Sequence, residues 1–355
     1  MSASNPISVL GLLWVAYLLN YVDRQMAFTW FPVLRHDLGF TNAQLGLIGS
    51  VFLWSYSACA PFGGRVSDVV PRRTVIVLSI AGWSLATIAT GFSNSPAMFI
   101  ACRGVVGITE GFYFPAAVST LVEVFDDRLR GCVISIHGMA QFAGIALGGW
   151  LGGFAADHWG WRAACFAMGG FGILYGSIVG LGLRDLNSGR SASQASSPVR
   201  VPASLIAIAG CFFLMCSMLW VLYAWLPDSI HSRFALDLAA SGLNATLILQ
   251  ISSAVGLLCG GAIGDWTGAR RLMVGVGLVL ATPFAWACFA APTLEYVRIA
   301  EIGFGLFSGL MLSNVIAGAY DLVPRSQYGI TAGGLTLVGG LGGGLAMLAA
   351  GAWLK

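Results

Sequence analysis

Four charged residues stand inside two apolar stretches where charge is out of place. Asn20-Tyr21-Val22-Asp23-Arg24 interrupts a run that opens near Ile7 and continues to Phe31, and Arg103-Gly104-Val105-Val106-Gly107-Ile108-Thr109-Glu110-Gly111 interrupts another. Asn20 and Arg24 are four apart and share a helical face, with Asp23 beside them; Arg103, Gly107 and Glu110 stand at i, i+4 and i+7, so a cation and a carboxylate share a face with a glycine between them. A charge within a membrane span costs at least ~2.5 kcal/mol on insertion scales, and so faces a cavity or a partner. Two arginines and two carboxylates form a balanced set that neutralises itself when empty and trades partners when an anion or a proton arrives. Arginine offers a planar fork to a carboxylate, and a carboxyl in a partly dry cavity can take up a proton near neutral pH. The competing reading is helix glue. Ser, Thr and Gly join membrane helices at lower cost, and the desolvation of paired ions often cancels their attraction, so function is the better account.

The elements that position these residues are transmembrane helices. Of 355 residues, 57% are hydrophobic and 9% charged, with a mean hydropathy of +0.82, whereas soluble domains carry about 25% charge. The 48 glycines suit helices packed closely in lipid. A formal charge of +3 is too small to argue for nucleic acid, and eight scattered cysteines without a CxxC pair indicate neither a disulfide framework nor a metal site. The first apolar run exceeds a signal-peptide core and carries Asp23 and Arg24, so it reads as a span. Runs long enough to cross ~30 Å of hydrocarbon fall near 7–31, 44–64, 74–93, 96–122, 131–155 and 162–183, then near 203–227, 243–264, 272–291, 295–319 and 328–352. These eleven spans define an all-α polytopic membrane protein with a six-helix bundle over 1–183, a polar Ser-rich cytoplasmic linker over 184–202 and a five-helix bundle over 203–355.

Arginine placement orients the chain. With the N-terminus inside, the cytoplasmic loops hold Arg65, Arg72, Arg73, Arg128, Arg130, Arg184, Arg190, Arg200, Arg270, Arg271 and Arg325, and the opposite side holds Arg35, Arg162, Arg233, Arg298 and Lys355. An odd number of spans places the C-terminus outside. The halves also echo one another: Gly63-Gly64-Arg65-Val66-Ser67-Asp68, then Arg72-Arg73, follows the second span, and Gly260-Gly261-Ala262-Ile263-Gly264-Asp265, then Arg270-Arg271, follows the second span after the linker. A basic loop alone is ordinary topology; its recurrence marks a transporter built from parallel repeats.

With these loops, the chain resembles the major facilitator superfamily along essentially its whole length. The RxxxGxxEG pattern at Arg103–Gly111 resembles that superfamily's fourth-helix signature, and Gly160-Trp161-Arg162 resembles the start of its sixth helix. The resemblance implies two helical bundles around a central cavity, with Asp68, Arg72, Arg73, Asp265, Arg270 and Arg271 as cytoplasmic gate residues that hold that side shut when the transporter faces outward. NYVDR together with RxxxGxxEG resembles the anion:cation symporter group, importers of sugar acids and other organic carboxylates with protons. Arg24 and Arg103 would then grip the substrate carboxylate, with Tyr21, Asn20 and Gln141 beside it, and Asp23 and Glu110 would carry protons. Spinster-like transporters of lysolipids and amphiphiles share the same pair of motifs, and Ser55-Tyr56-Ser57-Ala58-Cys59-Ala60-Pro61 is similar to their second helix. The GxxxGPxxGG pattern of drug antiporters is not met, since Ile145 stands where its proline would be.

Further candidates carry less weight. Gln141 either hydrogen-bonds substrate hydroxyls or a neighbouring helix; His137 either relays protons or is structural. Trp220, Tyr223, Gln250, Asn314 and Thr336 are cavity candidates in the second half, and Glu301, three residues after Arg298, has the spacing of a structural ion pair. No GxSxG, HExxH or GxxxxGK[ST] motif is present and the four histidines are scattered, so the expectation is a monomeric, gradient-driven carrier of a small organic anion and protons in the cytoplasmic (inner) membrane, with no enzyme activity, cofactor or metal. A twelfth helix is expected of the superfamily and none follows the eleventh run; a shortened remnant, or a sensor on a transporter scaffold, is the rival reading.

Overall fold

The computed structural model describes residues 5–126, 128–183, 202–324 and 327–353. Residues 184–201 of the expected linker, together with Arg184, Arg190, Arg200, Arg325 and Lys355, lie outside the described residues. The described chain is all helix: α1 (Pro6–Thr29), α2 (Phe31–Leu38), α3 (Asn42–Val69), α4 (Arg72–Gly91), α5 (Pro96–Val124), α6 (Arg130–Trp159), α7 (Trp161–Gly182), α8 (Ala203–Phe234), α9 (Leu238–Thr267), α10 (Arg270–Ala290), α11 (Leu294–Tyr320) and α12 (Tyr328–Trp353). Eleven of them, all but α2, are long and apolar enough to cross a membrane.

Two boundaries differ from the expected spans for reasons that lie in prolines. The first span stops at Thr29 rather than Phe31, because Pro32 sits in the first turn of a separate helix, α2, with Trp30 between the two. The seventh span runs seven residues past Pro227, to Phe234, instead of stopping there. Proline at 227 removes the donor that would bond the carbonyl four residues back. That carbonyl, of Tyr223, instead accepts a hydrogen bond at 2.9 Å from Nε2 of Gln25 in α1. The freed backbone group is thereby satisfied inside the apolar region, which is the condition for a proline to persist in a membrane helix.

One bundle joins α1 and α3 to α7 through the α3–α5, α1–α6, α4–α5 and α4–α7 contacts; the other joins α8 to α12 through α9–α11, α10–α11 and α8–α12. The bundles meet along α3–α12, α6–α9 and, less extensively, α1–α8. Close approach at the α6–α9 seam depends on paired glycines: a Cβ on Gly242 would collide with the Gly149 backbone.

The two ends of this seam differ. At one end, here the Arg35 end, Arg35 of α2 makes two parallel hydrogen bonds, of 2.8 and 2.6 Å, to Asp228 of α8, and the Ala239 amide donates to Asp157 at 3.0 Å. At the opposite, Arg72 end, the hydrogen bonds and ion pairs seen between described residues stay within one bundle. Arg72 bonds the Ser119 carbonyl and Glu123, Arg73 bonds the Gly180 carbonyl, and Arg270 bonds Asp265 at 2.7 Å and Asp321 at 3.0 Å.

Candidate functional site

The charges of α1 and α5 meet, and they pair crosswise. Nε of Arg24 donates to Oε2 of Glu110 at 2.6 Å, and Nη1 of Arg103 donates to Oδ2 of Asp23 at 3.2 Å. Neither Asp23 with Arg24 nor Arg103 with Glu110 forms a pair: consecutive positions on a helix point about 100° apart, residues seven apart on one face stand about 10 Å apart along the axis, and the partner helix supplies the nearer counter-charge. Thr87 of α4 adds a hydroxyl that reaches both oxygens of Asp23 at 3.1 Å. Asp23, Arg24 and Arg103 are each 3% exposed and Glu110 1%, so the cluster is almost wholly withdrawn from solvent. Removing one member of such a pair strands the other charge, at a cost of roughly 3–5 kcal/mol.

Aromatic rings hold the arginines in place. The Arg24 guanidinium lies 4.4 Å from the ring centre of Tyr21, 4.6 Å from Tyr56 and 4.9 Å from Phe52, and Arg103 lies 5.3 Å from Phe52. A desolvated cation–π contact contributes about 2 kcal/mol, which compensates part of the lost hydration while leaving guanidinium N–H groups available. Polar capacity remains open: Oε1 of Glu110, Nε of Arg103 and both amide atoms of Asn20 are buried without a hydrogen-bond partner. Tyr17 passes its hydroxyl hydrogen to Tyr21 at 3.4 Å and stacks on His137 with ring centres 4.7 Å apart. His137 is fully buried, both ring nitrogens unpartnered, and Gln141 sits half-buried one turn further along α6.

The remaining sequence candidates divide. Tyr223 and Gln250 lie in the second bundle near the contact made by Gln25, and both amide atoms of Gln250 are buried and unpartnered; Trp220 packs edge-on against Tyr223. Asn314 is committed to helix packing, donating to the Gly260 and Leu310 carbonyls, and Thr336 bonds Ala332 one turn back. The expected Arg298–Glu301 pair does not form. Arg298 bonds Glu295 at 2.5 Å and Asn244 of α9 at 2.9 Å, leaving Glu301 fully buried with neither oxygen bonded. Of the gate candidates, Asp68, Asp265 and Arg271 are exposed, Arg72, Arg73 and Arg270 are bonded within their own bundles, and no hydrogen bond or ion pair between described residues joins the bundles there. Thr87, Phe52 and Tyr56 belong to the site without having been singled out by spacing; an isolated hydroxyl or ring in a span carries no signal of its own. Among the described residues no group of three or more His, Cys, Asp or Glu is placed to hold a metal ion.

Residues 13–354 match the Major Facilitator Superfamily. The chain belongs to that superfamily. It is 29% identical to a probable sulfoacetate transporter of Cupriavidus necator, over 93% of this chain and 83% of the relative, and 24% identical to a D-galactonate transporter of Escherichia coli, over 94% and 86%. Its fold is that of a bacterial homologue of the human lysosomal transporter Spinster, solved inward-facing and unoccupied, with a TM-score of 0.85, 20% identity and coverage of 99% of this chain and 83% of that one. The all-α architecture of two bundles is thus a major facilitator fold, and the chain is a multi-pass membrane protein homologous to transporters.

Proposed function

We propose that the chain is a proton-coupled symporter of an organic anion, a sugar acid or another small carboxylate, in the cytoplasmic membrane. The observation that carries this reading is the crossed pairing of Arg24 with Glu110 and Arg103 with Asp23 in one desolvated cluster. An incoming carboxylate competes with Glu110 for Arg24. Once displaced, Glu110 has no counter-charge and takes a proton, so bound anion and bound proton favour each other, and linkage makes the effect reciprocal. Tyr21, Asn20 and Gln141 orient the substrate in this reading, and sulfoacetate and galactonate, cargoes named for two relatives, have the anionic chemistry such a site recognises.

With the N-terminus in the cytoplasm, the Arg35 end faces outward and is shut, and the Arg72 end faces the cytoplasm. Residues 1–183 would rock against 203–355 to alternate access, with Asp68, Arg72, Arg73, Asp265, Arg270 and Arg271 closing the cytoplasmic end in the other state.

Reconstituted protein tests the proposal through uptake of radiolabelled sulfoacetate, sugar acids and lysolipids with and without an inward proton gradient. Arg24→Ala and Arg103→Ala should each abolish carboxylate binding, and Glu110→Gln should retain binding and exchange while losing gradient-driven accumulation. Lysolipid uptake without sugar-acid uptake would instead favour a spinster-like carrier, and full accumulation by Glu110→Gln would remove Glu110 from coupling.

A further inference from the structure

Glu301 lies outside the four-charge cluster, on the second turn of α11, about 10 Å along the helix from its first residue. It is 0% exposed and neither carboxyl oxygen has a hydrogen-bond partner. Neighbours on its own helix fix where it faces. Positions 298, 301, 305 and 309 follow the three-four spacing of a single helical stripe, and the other members of that stripe touch α9: Arg298 bonds Asn244, Gly305 abuts Leu249 and Ser252, and Gly309 abuts Ser253 and Leu257. Glu301 therefore lies at the edge of the stripe that packs on α9, buried inside its own bundle with Cys288 of α10 near it. The ionisable groups around it are Arg298 and Glu295 on α11, bonded to each other, and Cys288 on α10; α9 contributes the neutral Asn244, and Arg233 of α8 is engaged with carbonyls at the end of α10.

The equivalent place in the first bundle carries a charge with a partner. Ser95 caps α5 and Thr293 caps α11. Ser95 to Arg103 and Thr293 to Glu301 are both intervals of eight residues, Gly107 and Gly305 both stand at twelve, and Gly111 and Gly309 both at sixteen. The first-bundle glycines face α3 as the second-bundle ones face α9. Glu301 is thus the repeat-mate of Arg103. Arg103 finds its counter-charge on α1, whereas α8 has no charged residue before Asp228. A carboxylate buried without an ion-pair or hydrogen-bond partner is among the costliest groups to keep ionised, and binding a proton removes that cost.

We propose that Glu301 is a second proton-binding site, holding its proton while the Arg35 end is shut and releasing it when that end opens. In the closed arrangement α6 presses on the first part of α9, through Gly149 on Gly242 and Asp157 on the Ala239 amide, and Asn244 in the same stretch keeps Arg298 away from Glu301. When α6 withdraws, water reaches the seam and Arg298, three residues away on the same helix, becomes the counter-ion. The neutral acid gives its proton to water and the carboxylate formed is balanced by the guanidinium. Protonation therefore favours the conformation described here, and rising pH favours opening of the Arg35 end. The inference rests on the alternation invoked under Proposed function but not on its substrate or on Glu110.

The test uses the full chain in lipid nanodiscs with spin labels on α6 and α9 at the Arg35 end, in a Glu110→Gln background, with no substrate present. From about pH 5 to about pH 9, a range that spans an ordinary or raised carboxyl, the opened share should rise at least tenfold, and adding Glu301→Gln should hold it at its acid value throughout. Glu301→Gln keeps the shape of the neutral acid, so a folded protein is expected. At neutral pH the Glu110→Gln protein should also show the infrared carbonyl band of a protonated acid, and Glu301→Gln should remove it. An unchanged pH response after Glu301→Gln, no pH response in the Glu110→Gln background, or a carbonyl band that survives Glu301→Gln would each overturn the proposal. Failed anion uptake with these results intact would instead count against the proposed substrate class.

Discussion

At the Arg35 end of the molecule charged side chains reach from one bundle to the other, whereas at the Arg72 end the pairs seen between described residues of the charged loops lie inside one bundle. Arg35 spans the bundles with two hydrogen bonds to Asp228 and a third, at 2.8 Å, to Asn42 of α3. Arg72 and Arg270 occupy matching places in the repeated loops, yet each pairs locally, with Glu123 and with Asp265 and Asp321. The difference shows what ion pairs do in this fold. An exposed pair within one bundle adds little to stability. In the alternation proposed above, a pair across the seam would be present in one conformation and absent from the other, and so would act on the equilibrium between them even when its net worth is modest. The two ends should therefore answer to mutation with opposite signs.

The largest effect is expected at Asp228, whose side chain is 11% exposed while that of Arg35 is 34% exposed. Asp228→Asn removes a charge-assisted, bidentate contact worth about 1–3 kcal/mol, which corresponds to a shift in population of about 5- to 150-fold. Spin-label distances between α2 and α8 should lengthen in a new, substantial population. Distances unchanged from those of the parent would mean that glycine packing along α6–α9 holds this end without help from the pair.

How much of this was legible in the sequence depends on whether the deciding partner lay nearby. The positions of Asp23, Arg24, Arg103 and Glu110 in spans, and the echo of Asp68-Arg72-Arg73 in Asp265-Arg270-Arg271, follow from spacing along one helix. The crossed pairing does not, because spacing says nothing about how α1 is rotated against α5. Thr87 was hidden for the same reason. The continuation of α8 past Pro227 turns on Gln25, a residue in the other bundle that satisfies the Tyr223 carbonyl. Glu301 shows the limit most plainly: an Arg three residues away suggests a pair, but Asn244 and Glu295 take the guanidinium, and neither choice can be read from α11 alone. In α2, by contrast, the start of the helix rests on a local residue, Pro32 in its first turn, although the expected first span ran on to residue 31.

A smaller effect of opposite sign is expected at the Arg72 end. Asp68 is exposed and forms no hydrogen bond or ion pair with another described residue, so Asp68→Asn should leave the contacts of the closed Arg35 end intact. If the repeated loops close this end in the other conformation, the same change removes a contact from that state alone and raises the share of the conformation described here by about two- to fivefold. Combined with Asp228→Asn, it should draw the population part of the way back. A double variant that opens the Arg35 end further than Asp228→Asn alone would show that Asp68 takes no part in closing the opposite end.

The smallest expected effect tests a charge at the Arg35 end that stays within one bundle. Asp37 of α2 bonds the His36 ring at 3.0 Å and accepts from the Trp161 indole of α7 at 3.0 Å, with the Arg162 guanidinium 3.8 Å away. The His36 contact, aided by the indole and by Arg162 against some loss of hydration, holds the Asp37 carboxyl below its ordinary range. A group whose folded pKa is depressed contributes stability that is present above its unfolded pKa, about 3.9, and is lost as pH falls through the folded value. Asp37 therefore fastens α2 to α7 at neutral pH and loosens it only in acid below about pH 4. Because the side chain is about a third exposed, the contribution is screened. Asp37→Asn should lower the melting temperature at pH 7 by on the order of 1 °C and flatten its decline between about pH 5 and pH 3. Since Asp37 and its partners all belong to the first bundle, the spin-label distances between α2 and α8 should not respond. A change in those distances as large as that of Asp228→Asn would mean that Asp37 governs the seam through Arg35, and the contrast between pairs across bundles and pairs within them would fail at this end.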